Sequence, residues 1–341
     1  FKKDGIMAGI LSLINFFIVS PLKQFKVSGK ITNFIPFDWL GAKGMFVAVI
    51  IGLITARIYV FIIDKGFTIK MPDSVPPAVS KSFTTLIPGS VTCLFAFIVA
   101  ALFSLTPFGS FSQMIYTFVQ IPLEGLSGSY GSMLVVILAI GILWSFGLHG
   151  TIIVFNGIMM PMYLTMDMQN LAAVQAGNPL PNIIGCEFFR CYVHCTGTGL
   201  TIGLALLFAF FAKSKQYKML GRLALPTSIF NINEPIIFGT PIVLNPIMVV
   251  PFILAPLLSA SIAYGATAIG LVPRLNGIQI PWPTPIVISG LLEGSWRISV
   301  LQVFLVFVSL AVYYIPFRYI DKKAYAQEHA NDSSSAEKEE A

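Results

Sequence analysis

Glu234 and His149 are the two ionisable side chains set deepest in apolar sequence that prolines and glycines interrupt. Glu234 belongs to the run Asn231-Ile232-Asn233-Glu234-Pro235-Ile236-Ile237-Phe238-Gly239-Thr240-Pro241-Ile242-Val243-Leu244-Asn245-Pro246. No Asp, Glu, Lys or Arg lies between Arg222 and Glu234, or between Glu234 and Arg274. A charge facing lipid costs on the order of 3 kcal/mol or more, so this carboxylate is expected to face a wet, protein-lined cavity. A carboxylate accepts hydrogen bonds from two hydroxyls or takes a proton from one. An imidazole donates to one hydroxyl and accepts from another. Asn231, Asn233 and Asn245 add neutral donors and acceptors, which suit an uncharged polyol better than an ion. Trp144 and Trp282 offer flat faces for the C–H side of a sugar ring, and each also reads as an interfacial anchor. His149 has the alternative of a helix-end histidine bonded to backbone. Glu234 has the alternative of a buried ion pair, with Arg297 or Arg190 as partner.

Glu124, Glu187, Arg190, Glu293 and Arg297 rank below these residues, because they fall near expected membrane boundaries where water reaches them. Arg297 leads that group, directly before the last apolar stretch. Cys93, Cys186, Cys191 and Cys195 all lie in or beside apolar sequence. Cys191, His194 and Cys195 match no standard zinc spacing and lack a second ligand pair, so they read as packing residues. No metal site and no cofactor are expected. No nucleophile–base pair of recognisable spacing supports an intramembrane enzyme.

The elements that must position Glu234 and His149 are membrane helices. The chain has 341 residues, of which 56% are hydrophobic and 11% charged. A soluble domain carries roughly 25% charge. The net charge of +6 comes without a basic run interleaved with aromatics, which argues against a nucleic-acid partner. Apolar stretches near the length of a span cover Gly5–Pro21, Gly44–Ile63, Leu86–Leu105, Gly131–Leu148, Cys191–Ala212, Pro246–Val272 and Ile298–Phe317. His149–Gly185 and Leu225–Asn245 are apolar but broken by proline and glycine, and read as two re-entrant hairpins. A third broken piece, Pro281–Gly294, carries Trp282. The expected fold is an all-α polytopic membrane protein, a helical bundle with those two hairpins. It divides into an N-terminal membrane part over 1–109, an amphipathic interfacial linker helix over 110–130, a substrate-binding part over 131–320 and a disordered tail over 321–341. Lys322 and Lys323 place that tail on the cytoplasmic side. Elsewhere orientation stays open, since Lys65/Lys70/Lys81 and Lys213/Lys215/Lys218/Arg222 both form basic loops. The start at Phe1, with Lys2-Lys3-Asp4 directly before an apolar helix, reads as a cut through a longer protein rather than a signal peptide.

The Asn231–Gly239 and Pro241–Pro246 runs resemble the membrane component, enzyme IIC, of the phosphoenolpyruvate-dependent sugar phosphotransferase system, in its lactose/cellobiose/diacetylchitobiose branch. Ile69-Lys70-Met71-Pro72-Asp73-Ser74-Val75-Pro76-Pro77-Ala78-Val79, Trp144-Ser145-Phe146-Gly147-Leu148-His149-Gly150, Pro281-Trp282-Pro283-Thr284-Pro285 and Trp296-Arg297 carry the same resemblance along almost the whole chain. It implies about ten spans, two re-entrant hairpins, an N-terminal dimerisation part and a C-terminal part that moves as the transport unit. The family's first two spans are not found ahead of Gly5. It also implies that Glu234 and His149 bind the sugar and that Trp282 matches the family's Pro-Trp motif. The expected partners are a disaccharide, a lipid bilayer, a second copy of the chain and a separate IIB component. The IIB phosphocysteine would supply phosphate to the sugar 6-hydroxyl, docking near Lys70–Pro77. No IIB-like soluble domain is visible in this sequence, and its four cysteines sit in apolar surroundings, so the donor is expected on another chain. The expected function is import of a β-linked disaccharide of the cellobiose, diacetylchitobiose or lactose type, coupled to 6-phosphorylation. In that reading Glu234 holds the sugar and acts as a base or orienter of the hydroxyl. The alternative is a proton-coupled secondary transporter in which Glu234 and His149 carry the proton.

Overall fold

A backbone in hydrocarbon must bond to itself, so the long apolar runs of this chain fold as helices. The structure, a computed structural model, describes residues 5–27, 30–72, 75–122, 127–240 and 242–339. Contacts divide the chain into two units, Phe1–Gly125 and Leu126–Ala341.

In the first unit, α1 (Gly5–Val19) leads into an antiparallel hairpin of β1 (Lys23–Val27) and β2 (Lys30–Phe34), with Lys23 opposite Phe34. The short α2 (Phe37–Leu40) precedes α3 (Met45–Asp64) and α4 (Pro77–Ser104). Pro77 opens α4, where a missing N–H leaves no bond unmade. Helices α1, α3 and α4 pack together, and Asn15 Nδ2 donates to Thr55 Oγ1 at 3.0 Å in their buried interface. Next comes α5 (Phe111–Ile115), which continues as a wider turn over Tyr116–Gln120. The sequence suggests an interfacial linker here. Instead, Phe111 and Ile115 join Val19, Val47, Ile51 and Ala96 in one buried cluster, and Ser112 Oγ donates to Val19 O at 3.0 Å. Phe111 and Ile115 thus pack on protein, while Phe118 stands exposed. Glu124 lies outside the described residues, as do residues 73 and 74 of the Lys70–Pro77 loop.

The second unit begins with α6 (Tyr130–Ser145). In α7, a π-helical stretch Thr151–Met159 runs directly into the α-helical Met160–Gln175. A short α8 has an α-helical turn Cys186–Phe188 followed by π-helical Phe189–Val193. Then come α9 (Ile202–Phe211), α10 (Lys215–Ile229), α11 (Glu234–Gly239), α12 (Pro246–Ala268), α13 (Ile288–Leu292) and α14 (Trp296–Glu339). Helix α9 is flanked by α10 and α14 at backbone distance. A Cβ on Gly221 would lie 2.3 Å from Ala209 N, and one on Gly203 would lie 2.4 Å from Leu310 N. Such small residues replace the missing hydrophobic drive between helices in lipid with close packing.

Among the described residues, five helices are long and apolar enough to cross a membrane: Met45–Asp64, Ser82–Ser104, Thr151–Gln175, Pro246–Ala268 and Trp296–Ala330. Gly5–Val19, Tyr130–Ser145 and Ile202–Phe211 are shorter apolar helices. Large apolar side chains such as Phe97, Leu102, Phe304 and Phe307 stand exposed on them, as lipid-facing residues do. The chain is an all-helical polytopic membrane protein apart from the β1–β2 hairpin. The expected hairpin at His149–Gly185 contains one continuous helix, α7, followed by a non-helical stretch over residues 176–185. Pro161 does not break α7, because the missing N–H falls in the first turn after the hydrogen bonding tightens from π to α. The expected span Cys191–Ala212 is regular only from Ile202; residues 194–201 form an irregular, buried loop.

The tail differs too. Polar composition from Asp321 onward predicts disorder, yet α14 continues to Glu339. Asp321 is buried and accepts from Lys213 N (2.9 Å), Ser214 N (3.0 Å) and Ser214 Oγ (2.9 Å). Glu328 accepts from Lys215 N and Gln216 N, both at 2.9 Å. Two carboxylates thus satisfy the free N–H groups at the start of α10, which composition alone does not reveal. Asp321→Ala is expected to cost about 2–4 kcal/mol by leaving buried N–H groups unpaired, and Glu328→Ala less than about 1 kcal/mol. Thermal melting of the purified variants in detergent checks this: equal melting temperatures for the two would refute the clamp.

Candidate functional site

Irregular backbone inside an apolar unit leaves N–H and C=O groups that need partners. Here the loop 194–201 and the turn between α10 and α11 supply them to each other. Thr196, Gly197, Gly199 and Leu200 all have positive φ, as does Asn231 (65°). Asn231 Oδ1 accepts from Thr196 N at 2.7 Å, while its Nδ2 donates to Trp282 O (2.6 Å) and Thr284 O (3.1 Å). Asn233 Nδ2 donates to Thr198 O and Thr201 Oγ1, both at 2.7 Å. The approach is so close that a Cβ on Gly197 would lie 2.4 Å from Asn233 Oδ1. From the other side, Tyr313 OH donates to Gly199 O at 2.8 Å, and Ser309 Oγ donates to Leu200 O while accepting from Gly203 N at 3.1 Å.

This scaffold frames a cavity of about 250 Å³ lined by Trp144, His149, Asn231, Asn233, Glu234 and Trp282, six of the seven residues the sequence singles out for binding. Thr151, Asn156, Thr198 and Arg190 line it too. Asn156 is a polar residue midway along the apolar first half of α7, a sequence signal that the Glu and His motifs overshadow. Asn245 does not line the cavity; its side chain caps α12 by accepting from Ile247 N at 3.1 Å. The amide donors of Asn231 and Asn233 are committed to protein oxygens. The polyol-binding amides of the sequence reading are thus mainly braces, one of which fixes the backbone of Trp282.

The free valences lie on Glu234 and His149. Glu234 is the first residue of α11 and is exposed. Among the described residues its carboxylate forms no ion pair and no hydrogen bond. Neither suggested partner reaches it. Arg190 Nη1 is held by Glu187 Oε1 at 2.6 Å, and Arg297 lies over the Trp296 ring at 5.9 Å. His149 stands half-buried between α6 and α7, its ring centroid 4.4 Å from that of Trp144. Its Nδ1 accepts from Ile152 N at 3.3 Å, so the neutral ring carries its proton on Nε2, which is left to donate elsewhere. Both readings of His149 therefore hold, one for each nitrogen. The buried Trp144 directs Nε1 at Thr151 Oγ1 (3.5 Å), which is itself bonded to Thr198 Oγ1 at 2.7 Å. That makes it a wall of the cavity and not an interfacial anchor. Trp282, 38% exposed, presents the more open aromatic face.

Glu187 and Glu293 are not at a solvated boundary as their sequence position suggests. Both are buried, and Arg190 bridges Glu187 to Gln279 and Ile280 O. Burial pushes the Glu293 carboxyl up to about 8, and the neighbouring Glu187 charge adds to the effect. Asp167, Cys186 and Glu187 place donor atoms within 4.8 Å of one another. Asp167 Oδ2 already accepts from Glu187 N (2.9 Å) and Gln279 Nε2 (3.1 Å), which marks a hydrogen-bonded brace.

Known proteins resemble this chain along most of its length. The family described as Phosphotransferase system, EIIC matches residues 1–256. The cellobiose-specific EIIC component of Geobacillus stearothermophilus is 43% identical, over 98% of this chain and 76% of that protein. The lichenan permease IIC component of Bacillus subtilis is 40% identical, over 96% of this chain and 74% of that protein. The crystal structure of the transporter ChbC, the IIC component from the N,N'-diacetylchitobiose-specific phosphotransferase system, superposes with a TM-score of 0.88 at 37% identity. It covers 96% of this chain and 78% of that one.

Braces and free groups differ in what their loss does to stability. Asn231→Ala and Asn233→Ala each strand buried backbone groups and are expected to lower the melting temperature of the unliganded protein by several degrees. Glu234→Gln breaks no contact within the protein and is expected to leave it within about one degree. A melting-temperature loss for Glu234→Gln as large as that for Asn233→Ala would overturn this division.

Proposed function

The chain belongs to the phosphotransferase system EIIC family, and on that premise we propose that it imports a β-linked disaccharide that is phosphorylated at its 6-hydroxyl as it enters. The observation that carries the sugar site is the Glu234 carboxylate, without a partner among the described residues, in the lining of the same cavity as His149 and Trp282. A carboxylate accepting from two adjacent hydroxyls, an imidazole N–H donating to a third and an aromatic face beneath the ring suit a neutral sugar. The names of the relatives, for cellobiose and lichenan, support a β-linked sugar as the substrate class.

In this reading a phosphocysteine on a separate IIB component is the donor. The sugar O6–P bond forms as the S–P bond breaks, the cysteine leaves as thiolate, and the hydroxyl proton passes to Glu234. Cys186, Cys191 and Cys195 are buried here, consistent with a donor on another chain. Residues 1–109 serve dimerisation, residues 131–320 carry the sugar, and the Lys70–Pro77 loop docks IIB. Lys322 and Lys323 favour a cytoplasmic C-terminus.

A charge-assisted hydrogen bond from the sugar to Glu234 is worth about 1.5–3 kcal/mol and a neutral one from His149 about 0.5–1.5 kcal/mol, so Glu234→Gln should weaken disaccharide binding at least tenfold and His149→Ala several-fold. Binding by purified protein and uptake into vesicles test this, and near wild-type values for both variants would defeat the site. Chromatography of the internal sugar tests the coupling. Group translocation gives the 6-phosphate and needs phosphoenolpyruvate. Accumulation of unmodified sugar driven by a pH gradient alone would establish the proton-coupled alternative.

A further inference from the structure

A second polar cavity, of about 570 Å³, opens where the apolar part of α14 ends beside the end of α9. Lys213, Arg318 and Lys322 line it together with Phe211, Tyr319 and Tyr325. Arg318 and Lys322 stand four residues apart on one face of α14, where like charges repel unless an anion lies between them. The one carboxylate in the lining, Asp321, is consumed by Lys213 N, Ser214 N and Ser214 Oγ. No salt bridge engages the three cationic side chains among the described residues. Phe211, Tyr319 and Tyr325 stand exposed beside them, the aromatic and basic mixture found at bilayer interfaces.

We propose that this cavity binds the phosphate headgroup of an anionic phospholipid, with Lys213, Arg318 and Lys322 on the phosphate and Phe211, Tyr319 and Tyr325 against the glycerol and upper acyl chain. Position favours a lipid over a soluble anion. The Ile315-Pro316-Phe317 end of the apolar stretch adjoins the basic residues, so a headgroup reaches them without its chains leaving the bilayer. A lipid bound there rests on the joint that Asp321 makes with the α9–α10 connection, and α10 leads directly to the Asn231–Glu234 turn.

The test uses the full chain in zwitterionic phosphatidylcholine nanodiscs, titrated with phosphatidylglycerol. Native mass spectrometry counts retained lipid and thermal melting gives an apparent affinity. Lys322→Gln should weaken phosphatidylglycerol binding roughly fivefold, the effect of one interfacial lysine. Lys323→Gln removes the same charge from the next residue of α14 but outside the cavity, and should leave binding unchanged. Inorganic phosphate and a sugar 6-phosphate, added without phosphatidylglycerol, should give no comparable shift. Equal losses for Lys322→Gln and Lys323→Gln would reduce the effect to general surface charge and overturn the site. Saturation by inorganic phosphate or sugar phosphate alone would overturn the lipid assignment. Neither outcome bears on the sugar site, because no residue of this cavity lines that one.

Discussion

A backbone that leaves the helical path in apolar surroundings must find other partners for every N–H and C=O it frees. The second unit rests on that constraint. The loop 194–201 and the turn before α11 both break the helix, and side chains bond the groups they free. Asn231 and Asn233 are short, carry both donors and acceptors, and Asn tolerates the left-handed backbone that position 231 requires. Each bonds the opposite broken segment, so neither segment is satisfied without the other. Tyr313 and Ser309 complete the set from α14.

This division leaves binding to a few groups. Polar groups that bond the protein are unavailable to a ligand, while the proposed ligand groups belong to cavity-lining residues and have no partner among the described residues. Glu234 and the Nε2 of His149 belong to the second class, and the Asn231 and Asn233 donors to the first. A site built this way is preorganised, because a ligand displaces no internal bond when it arrives. The braced main chain of Trp282 fixes the aromatic floor by the same means.

The sequence makes the cavity residues legible because a carboxylate, a histidine and two tryptophans are conspicuous in apolar surroundings. Their division of labour is not legible. An amide beside a carboxylate looks alike whether it faces a ligand or a backbone carbonyl, and only the partner's position decides. The membrane helices follow from apolar length. The continuity of α7 through Pro161 does not, since it depends on where the hydrogen bonding changes from π to α. The order of α14 beyond Asp321 is equally hidden, because it comes from bonds to residues 213–216, more than a hundred positions away. The Arg190–Glu187 pair shows the same limit: proximity to an expected boundary says nothing about burial once the chain folds over it.

Helix α14 ties these features into one mechanical body. Its Gln302 donates to Cys191 O and Ser289 Oγ and accepts from Val287 N, holding both α8 and the segment that follows Trp282. Ser309 and Tyr313, two and three turns further on, hold the loop that carries Thr198. Asp321, two more turns along, holds the start of α10, whose far end delivers Asn231. Moving Glu234 alone would break several buried hydrogen bonds, each leaving groups that cost about 1–3 kcal/mol unpaired. Moving α8, α9, α10, α14, the loop 194–201, the turn before α11 and the Trp282–Ser289 segment together keeps these bonds intact. In the proposed function, a sugar held by Glu234 therefore travels at least cost with the whole assembly, which favours a site carried by a rigid unit over one carried by a flexible loop.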